Sequence, residues 1–156
     1  MATELIRDPG KDHVLTANSS MESKLAPLFD WAGVIGRLGL ALLFLWSGYE
    51  KVAHPASTVA YMQAYGLPAA GLLIWPALLV ELVGGAMLVL GWKARWVALA
   101  LAVYTFAATF IFHAYWSAPA DQVMNQQIHF MSNLAIAGGL LLVFAHGSGR
   151  YALDKS

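Results

Sequence analysis

The sequence predicts an all-α polytopic membrane protein, a four-helix bundle with a short interfacial helix between the first two spans. Three observations lead there. The chain of 156 residues is 59% hydrophobic and only 12% charged, with a mean hydropathy of +0.60, which is too apolar for an ordinary soluble domain. Four apolar runs each approach the roughly 20 residues that a helix needs to cross about 30 Å of hydrocarbon. When these runs are threaded in order, the basic residues fall mainly on one side of the membrane, as the positive-inside rule requires.

Residues 1–30 mix both charges with Pro, Gly, Asn and Ser. They hold no apolar run and no small-residue cleavage site, so they read as a flexible cytoplasmic tail and not as a signal peptide. The membrane domain follows over residues 31–146, with spans near Trp31 to Tyr49, Leu72 to Gly91, Trp96 to Trp116 and Gln126 to Ala145. Between the first two spans, Pro55 can open a helix, Gly66 can end it and Pro68 prevents its continuation. Val59, Tyr61, Met62 and Tyr65 suit a short helix lying in the interface. Residues 147–156 form a second cytoplasmic tail, and the links "WKAR" and "SAPADQVMN" leave no room for another domain.

With a cytoplasmic N-terminus, Arg7, Lys11, Lys24, Lys93, Arg95, Arg150 and Lys155 lie inside, and Lys51 lies outside. Both termini are therefore expected in the cytoplasm. Trp31, Trp75, Trp92, Trp96 and Trp116 fall near span ends, where aromatic rings anchor in the headgroup zone. Nine Lys and Arg balance nine Asp and Glu, so no net field recruits nucleic acid. The absence of cysteine excludes disulfides, iron-sulfur clusters and thiolate haem within this chain.

Polar side chains in hydrocarbon cost about 2.5–3.5 kcal/mol when charged at a helix centre, so they turn inward and find partners. In the first span Arg37, Ala41, Phe44, Gly48 and Lys51 share one face. Glu81 is the lone acid in the second span, with Gly84 and Gly85 one turn below it. In the third, Ala102, Thr105, Thr109 and His113 form a stripe, and in the fourth His129 and Asn133 stand one turn apart. The ligand-binding candidates are Arg37, Lys51, Glu81, Thr109, His113, His129 and Asn133, with Glu81 and His113 as candidate proton handlers. Gly36, Gly39, Gly138 and Gly139 are expected to let backbones approach closely.

Three readings of Glu81 stand at this point. Its depth lies within about 8 Å of that of Arg37 along the bundle axis, so the two can pair and lock helices together. It can also serve a ligand or proton site, or stand alone as a protonated acid. His113 and His129 have three readings: hydrogen bonding between helices, contact with a quinone or proton, and ligation of haem. No further metal ligand is evident, and none is assigned.

The runs "GRLGLALLFLWSGYEKV", "YGLPAAGLLIWPALLVELVGGAMLVLGWKAR", "FIFHAYW" and "HFMSNLAIAGGLLLVFAHGSGRYALD" resemble the DoxX family of small prokaryotic four-helix membrane proteins. The resemblance runs from about Gly36 to Asp154. Its pattern is carried by Arg37, Phe44, Ser47, Gly48 and Lys51, by Gly66 to Pro68, by Glu81, Gly84 and Gly85, and by Gly147, Gly149 and Asp154. The residue before Asn133 is Ser132, where relatives often carry Lys, so no role resting on a cation there transfers.

The resemblance implies a multi-pass protein of the prokaryotic plasma (inner) membrane. Its family name derives from a subunit associated with thiosulfate:quinone oxidoreduction. It therefore implies a quinone-linked subunit of an oxidoreductase, or a small redox accessory protein, with a buried polar site facing the outer half of the membrane. On that reading the partners are the bilayer, a quinone or other small apolar ligand, a redox partner subunit that supplies electrons, and a second copy of the chain. Phe44, Tyr65 and Phe110 are then the expected lining of the quinone tail. Two other classes stay open: a small-molecule transporter or permease, and a non-catalytic assembly or scaffold subunit.

Overall fold

The computed structural model describes residues 9–154, and side chains from Met21 onward. The order of elements is α1 (Pro9–Ala53), α2 (Pro55–Ala64), α3 (Ala70–Leu90), α4 (Ala94–Phe112), a single 3-10 turn (Tyr115–Ser117) and α5 (Val123–His146). Four segments are long and apolar enough to cross a membrane: Met21–Ala53, Ala70–Leu90, Ala94–Ser117 and Val123–His146. The short α2 lies between the first two. Among the described residues there is no strand, and the all-α four-helix architecture is as predicted.

The first helix starts well before the expected first span. Residues 9–30, read from sequence as a tail, are helical and continuous with the span. Pro9 stands at the first position, where a missing N–H costs nothing. Hydropathy marks where a helix enters lipid, and a polar extension of the same helix leaves no apolar trace. The first eight residues of that expected tail, Arg7 among them, and the last two of the chain, Lys155 among them, lie outside the described residues.

Antiparallel pairs build the bundle: α1 packs on α3, α3 on α4, and α4 on α5. Glycine sets the first contact. A Cβ added to Gly48 would lie 2.6 Å from the Leu82 side chain, and one added to Gly85 would lie 2.9 Å from Leu45. Gly84 similarly faces Leu101 at 3.1 Å. These approaches seat Ala41, Phe44, Leu88, Ala98, Leu101 and Leu140 in the core. Gly36, Gly39 and Gly138 do not act this way, because a Cβ on any of them meets nothing within 4 Å. Their expected role as packing glycines is overturned: α1 has only a slight contact with α5, so their faces look outward.

Tight turns join the helices. Gly66 and Gly91 adopt positive φ, as does Lys93, which puts α4 directly behind α3. Large apolar side chains such as Leu42, Trp46, Leu72, Leu79, Val103 and Leu142 cover the outside, as a lipid solvent demands. The tryptophans expected as anchors, Trp31, Trp75, Trp92, Trp96 and Trp116, are all exposed.

The C-terminal residues fold back under the bundle. Leu153 N–H donates to Leu90 O at 3.1 Å, and Asp154 N–H to Gly91 O at 3.2 Å. Lys93 meets the Asp154 carboxylate at 3.3 Å, and Tyr151 packs on Trp31 with ring centroids 5.3 Å apart.

Candidate functional site

An α-helical side chain leaves its backbone tilted toward the helix N-terminus. That rule decides how the buried charges pair. Arg37 on α1 leans toward the end of the bundle where Ser148 and Tyr151 lie. Lys51, two turns above Phe44, leans back from the opposite end into the interior. Glu81 belongs to the antiparallel α3 and leans up to meet it.

Accordingly, Lys51 Nζ lies 2.9 Å from Glu81 Oε2, and Glu81 is only 3% exposed. Lys51 also donates to Ser47 Oγ at 2.8 Å and to Ser47 O at 3.4 Å. On the other side of the carboxylate, Tyr104 donates its hydroxyl to Glu81 Oε1 at 2.7 Å. The expected Arg37–Glu81 pair does not form. Arg37, 4% exposed, instead donates to Ser148 O at 2.6 Å and to Tyr151 O at 2.9 Å. It holds the C-terminal segment in place, with Gly91 leaving the space: a Cβ there would lie 2.5 Å from the guanidinium.

The Lys51–Glu81 pair forms one wall of a cavity of about 280 Å³. Phe44, Ser47 and Leu43 of α1 line it, with Thr58, Tyr61 and Met62 of α2 and Ala77 of α3. From α4 come Tyr104, Thr105, Ala108 and Phe112, followed by His113 and by Asn133 of α5. Leu43 and Tyr61 are exposed on the bundle surface, so the cavity reaches the lipid-facing side. Burial, then the neighbouring Tyr65 hydroxyl, pushes the Tyr61 phenol up from its ordinary range, which keeps it a neutral hydroxyl.

Around His113 a second polar chain forms. Its Nδ1 lies 2.8 Å from Gln126 Oε1, and Gln126 Nε2 donates to the Tyr65 hydroxyl at 3.0 Å. His129 stacks on His113, with centroids 5.1 Å apart and planes at 26°. Imidazole lone pairs lie in the ring plane, so stacked rings do not aim at one shared metal. Among the described residues, no group of three or more His, Asp or Glu converges.

Of the residues singled out from sequence, the structure brings Lys51, Glu81, His113 and Asn133 around this one cavity. Three stand apart. Arg37 is at the far end, His129 reaches the site only through its stack on His113, and Thr109 is fully buried with its hydroxyl donated to Thr105 O. Phe44 lines the cavity, whereas Phe110 packs outward on Trp116 and Phe130, and Tyr65 touches Gln126. Sequence reasoning missed Tyr104 and Gln126. Tyr104 had a usable signal, since it and Glu81 lie equally far from the turn between Trp92 and Lys93 and thus at one depth.

The DoxX family profile matches residues 32–114. Escherichia coli inner membrane protein YqjF is 33% identical over 128 residues, covering 82% of this chain and 93% of that protein. The chain belongs to the DoxX family. A second Escherichia coli relative, inner membrane protein YphA, is 33% identical over 78% of this chain and 87% of its own length. A Surfeit locus protein 4 homolog of Schizosaccharomyces pombe is 31% identical over 86 residues, only 28% of that protein. No solved structure matches. The DoxX match spans Ser47, Lys51, Glu81, Tyr104 and His113, and leaves Gln126, His129 and Asn133 on α5 beyond it. This DoxX protein is an integral membrane protein whose buried ion pair faces a cavity.

Proposed function

We propose that this protein is a quinone-linked, redox-associated membrane protein, whose cavity beside Lys51 and Glu81 receives a quinone head group. One observation carries the reading: Lys51, Glu81, Tyr104, His113 and Asn133 line one cavity together with apolar residues that include Leu43, Phe44, Met62, Ala77 and Phe112. Ligand pockets pair an apolar lining with a few placed polar groups in this way. A volume of about 280 Å³ lies just under the roughly 300–1,000 Å³ of drug-sized pockets, which suits a ring with its tail leaving past Leu43 and Tyr61. Glu81 and His113 are the groups able to move protons to or from a bound ring. Electrons would reach it from a partner subunit or another cofactor.

The same proposal places the chain in the inner membrane of a prokaryote, with both ends in the cytoplasm. The names of the two Escherichia coli relatives and the side on which the basic residues gather support that placement.

The test is to extract the protein in mild detergent, analyse it for co-purifying quinone, and titrate it with a short-chain quinone. Bound quinone, with affinity weakened by Glu81→Gln and by His113→Ala, is expected. Quinone-free protein without measurable affinity contradicts the proposal.

A further inference from the structure

The hydrogen-bonding capacity of the cavity wall is unevenly spent. An ammonium has three donors and no acceptor. Those of Lys51 go to Ser47 Oγ and, at 3.4 Å, Ser47 O, while its ammonium lies in ion-pair contact with Glu81 Oε2 at 2.9 Å. The Tyr104 hydroxyl proton goes to Glu81, that of Thr105 to Leu101 O, and that of Thr58 to His54 O. The donors are thus largely consumed within the protein.

Acceptors remain. Glu81 Oε2 is buried with no hydrogen-bond partner beside its ion contact with Lys51, Oε1 has lone-pair capacity beyond its bond from Tyr104, and so does the Tyr104 hydroxyl oxygen. At His113 the choice of tautomer is made by Gln126. With the Gln126 amide nitrogen on the Tyr65 hydroxyl and its oxygen on His113 Nδ1, as the structure places them, Nδ1 is the nitrogen that carries the proton. The other ring nitrogen, Nε2, is left as a bare acceptor. Among the described lining residues, the donors left to offer are those of Asn133 and the Ser47 hydroxyl, with the Tyr61 hydroxyl engaged by its neighbour Tyr65.

We propose that the cavity selects a ligand that donates hydrogen bonds, the dihydroxy form of a quinone in preference to its oxidised form, and that Gln126 is the positioning residue giving His113 its accepting nitrogen. The inference rests on the quinone reading above and adds which member of the couple the site holds. A hydroquinone carries two O–H donors for Glu81 and His113. A quinone offers only carbonyl oxygens and would face unprotonated acceptors. An unmade hydrogen bond in a buried site is costly enough to set a preference of about tenfold. For a two-electron couple, a tenfold preference for the reduced form raises the potential of the bound couple by about 30 mV.

The experiment titrates the full chain anaerobically with decylubiquinol and with decylubiquinone, and reads the His113 tautomer by nitrogen-15 NMR of histidine-labelled protein. Expected are about tenfold tighter binding of the quinol and a proton on Nδ1 of His113. Gln126→Met should move that proton to Nε2 and shrink the preference, while Gln126→Glu, which keeps an acceptor facing Nδ1, should preserve the wild-type tautomer. Equal or tighter binding of decylubiquinone overturns the selectivity. A wild-type proton on Nε2, or a tautomer unmoved by Gln126→Met, overturns the role of Gln126. If neither form binds, the quinone reading and the selectivity fall together, and the NMR result still decides Gln126.

Discussion

Lys51 and Glu81 meet across the α1–α3 contact at 2.9 Å, one from each of two antiparallel helices brought close by Gly48 and Gly85. Removing one partner of a buried pair leaves an uncompensated charge and costs about 3 kcal/mol or more. Lys51→Met and Glu81→Gln should therefore each lower the unfolding midpoint in detergent. The double variant should be more stable than either single one. A double variant as unstable as the sum of the two contradicts the pairing.

Arg37 and Glu81 should behave independently. Arg37 serves the C-terminal segment, and charge-assisted bonds such as its two to backbone carbonyls contribute about 1.5–3 kcal/mol each. Arg37→Met should speed amide exchange at Leu153 and Asp154, and Glu81→Gln should leave those amides protected. The two substitutions should add to within about 0.5 kcal/mol, as distant sites do. Strong coupling between them would restore the pair expected from depth alone.

Two glycines should respond oppositely to alanine. At Gly91, φ is +67° and an added methyl meets both Ala152 and the Arg37 guanidinium at 2.5 Å. The left-handed backbone alone costs an L-residue about 1–2 kcal/mol, so Gly91→Ala should be plainly destabilising. At Gly138 nothing lies within 4 Å, and removing a helical glycine gains roughly 0.5–1 kcal/mol. Thermal unfolding of the two variants side by side checks the contrast.

Since the chain has no cysteine, single introduced thiols report topology cleanly. In spheroplasts, a membrane-impermeant maleimide should label Asp121→Cys readily and Arg150→Cys only after lysis. The reverse pattern would invert the proposed orientation.

The four spans, the short helix between the first two and the shared face of Arg37, Ala41, Phe44 and Lys51 were legible because lipid imposes length and periodicity on any spanning helix. Gathering Lys51, Glu81, His113 and Asn133 needed only the rule that polar groups turn inward. Pairing was less legible. Depth placed Arg37 near Glu81, but side-chain tilt sends Arg37 toward the segment after α5 and Lys51 into the core, and the acceptors for Arg37 are carbonyls of Ser148 and Tyr151, which every residue type possesses. The polar first half of α1 carries no apolar stripe to reveal it. Gln126 became visible only once the 3-10 turn at Tyr115–Ser117 set the register of α5 against α4.

Photolabelling with an azido-substituted short-chain quinone, followed by peptide mapping with and without excess unlabelled quinone, tests most directly whether the cavity is the quinone site. The account predicts competable labels on the peptides that carry Leu43 to Lys51 of α1, Tyr61 and Met62 of α2, and Tyr104 to His113 of α4. Labels confined to lipid-facing residues such as Leu72, Leu79 and Val103, unaffected by competitor, would contradict it.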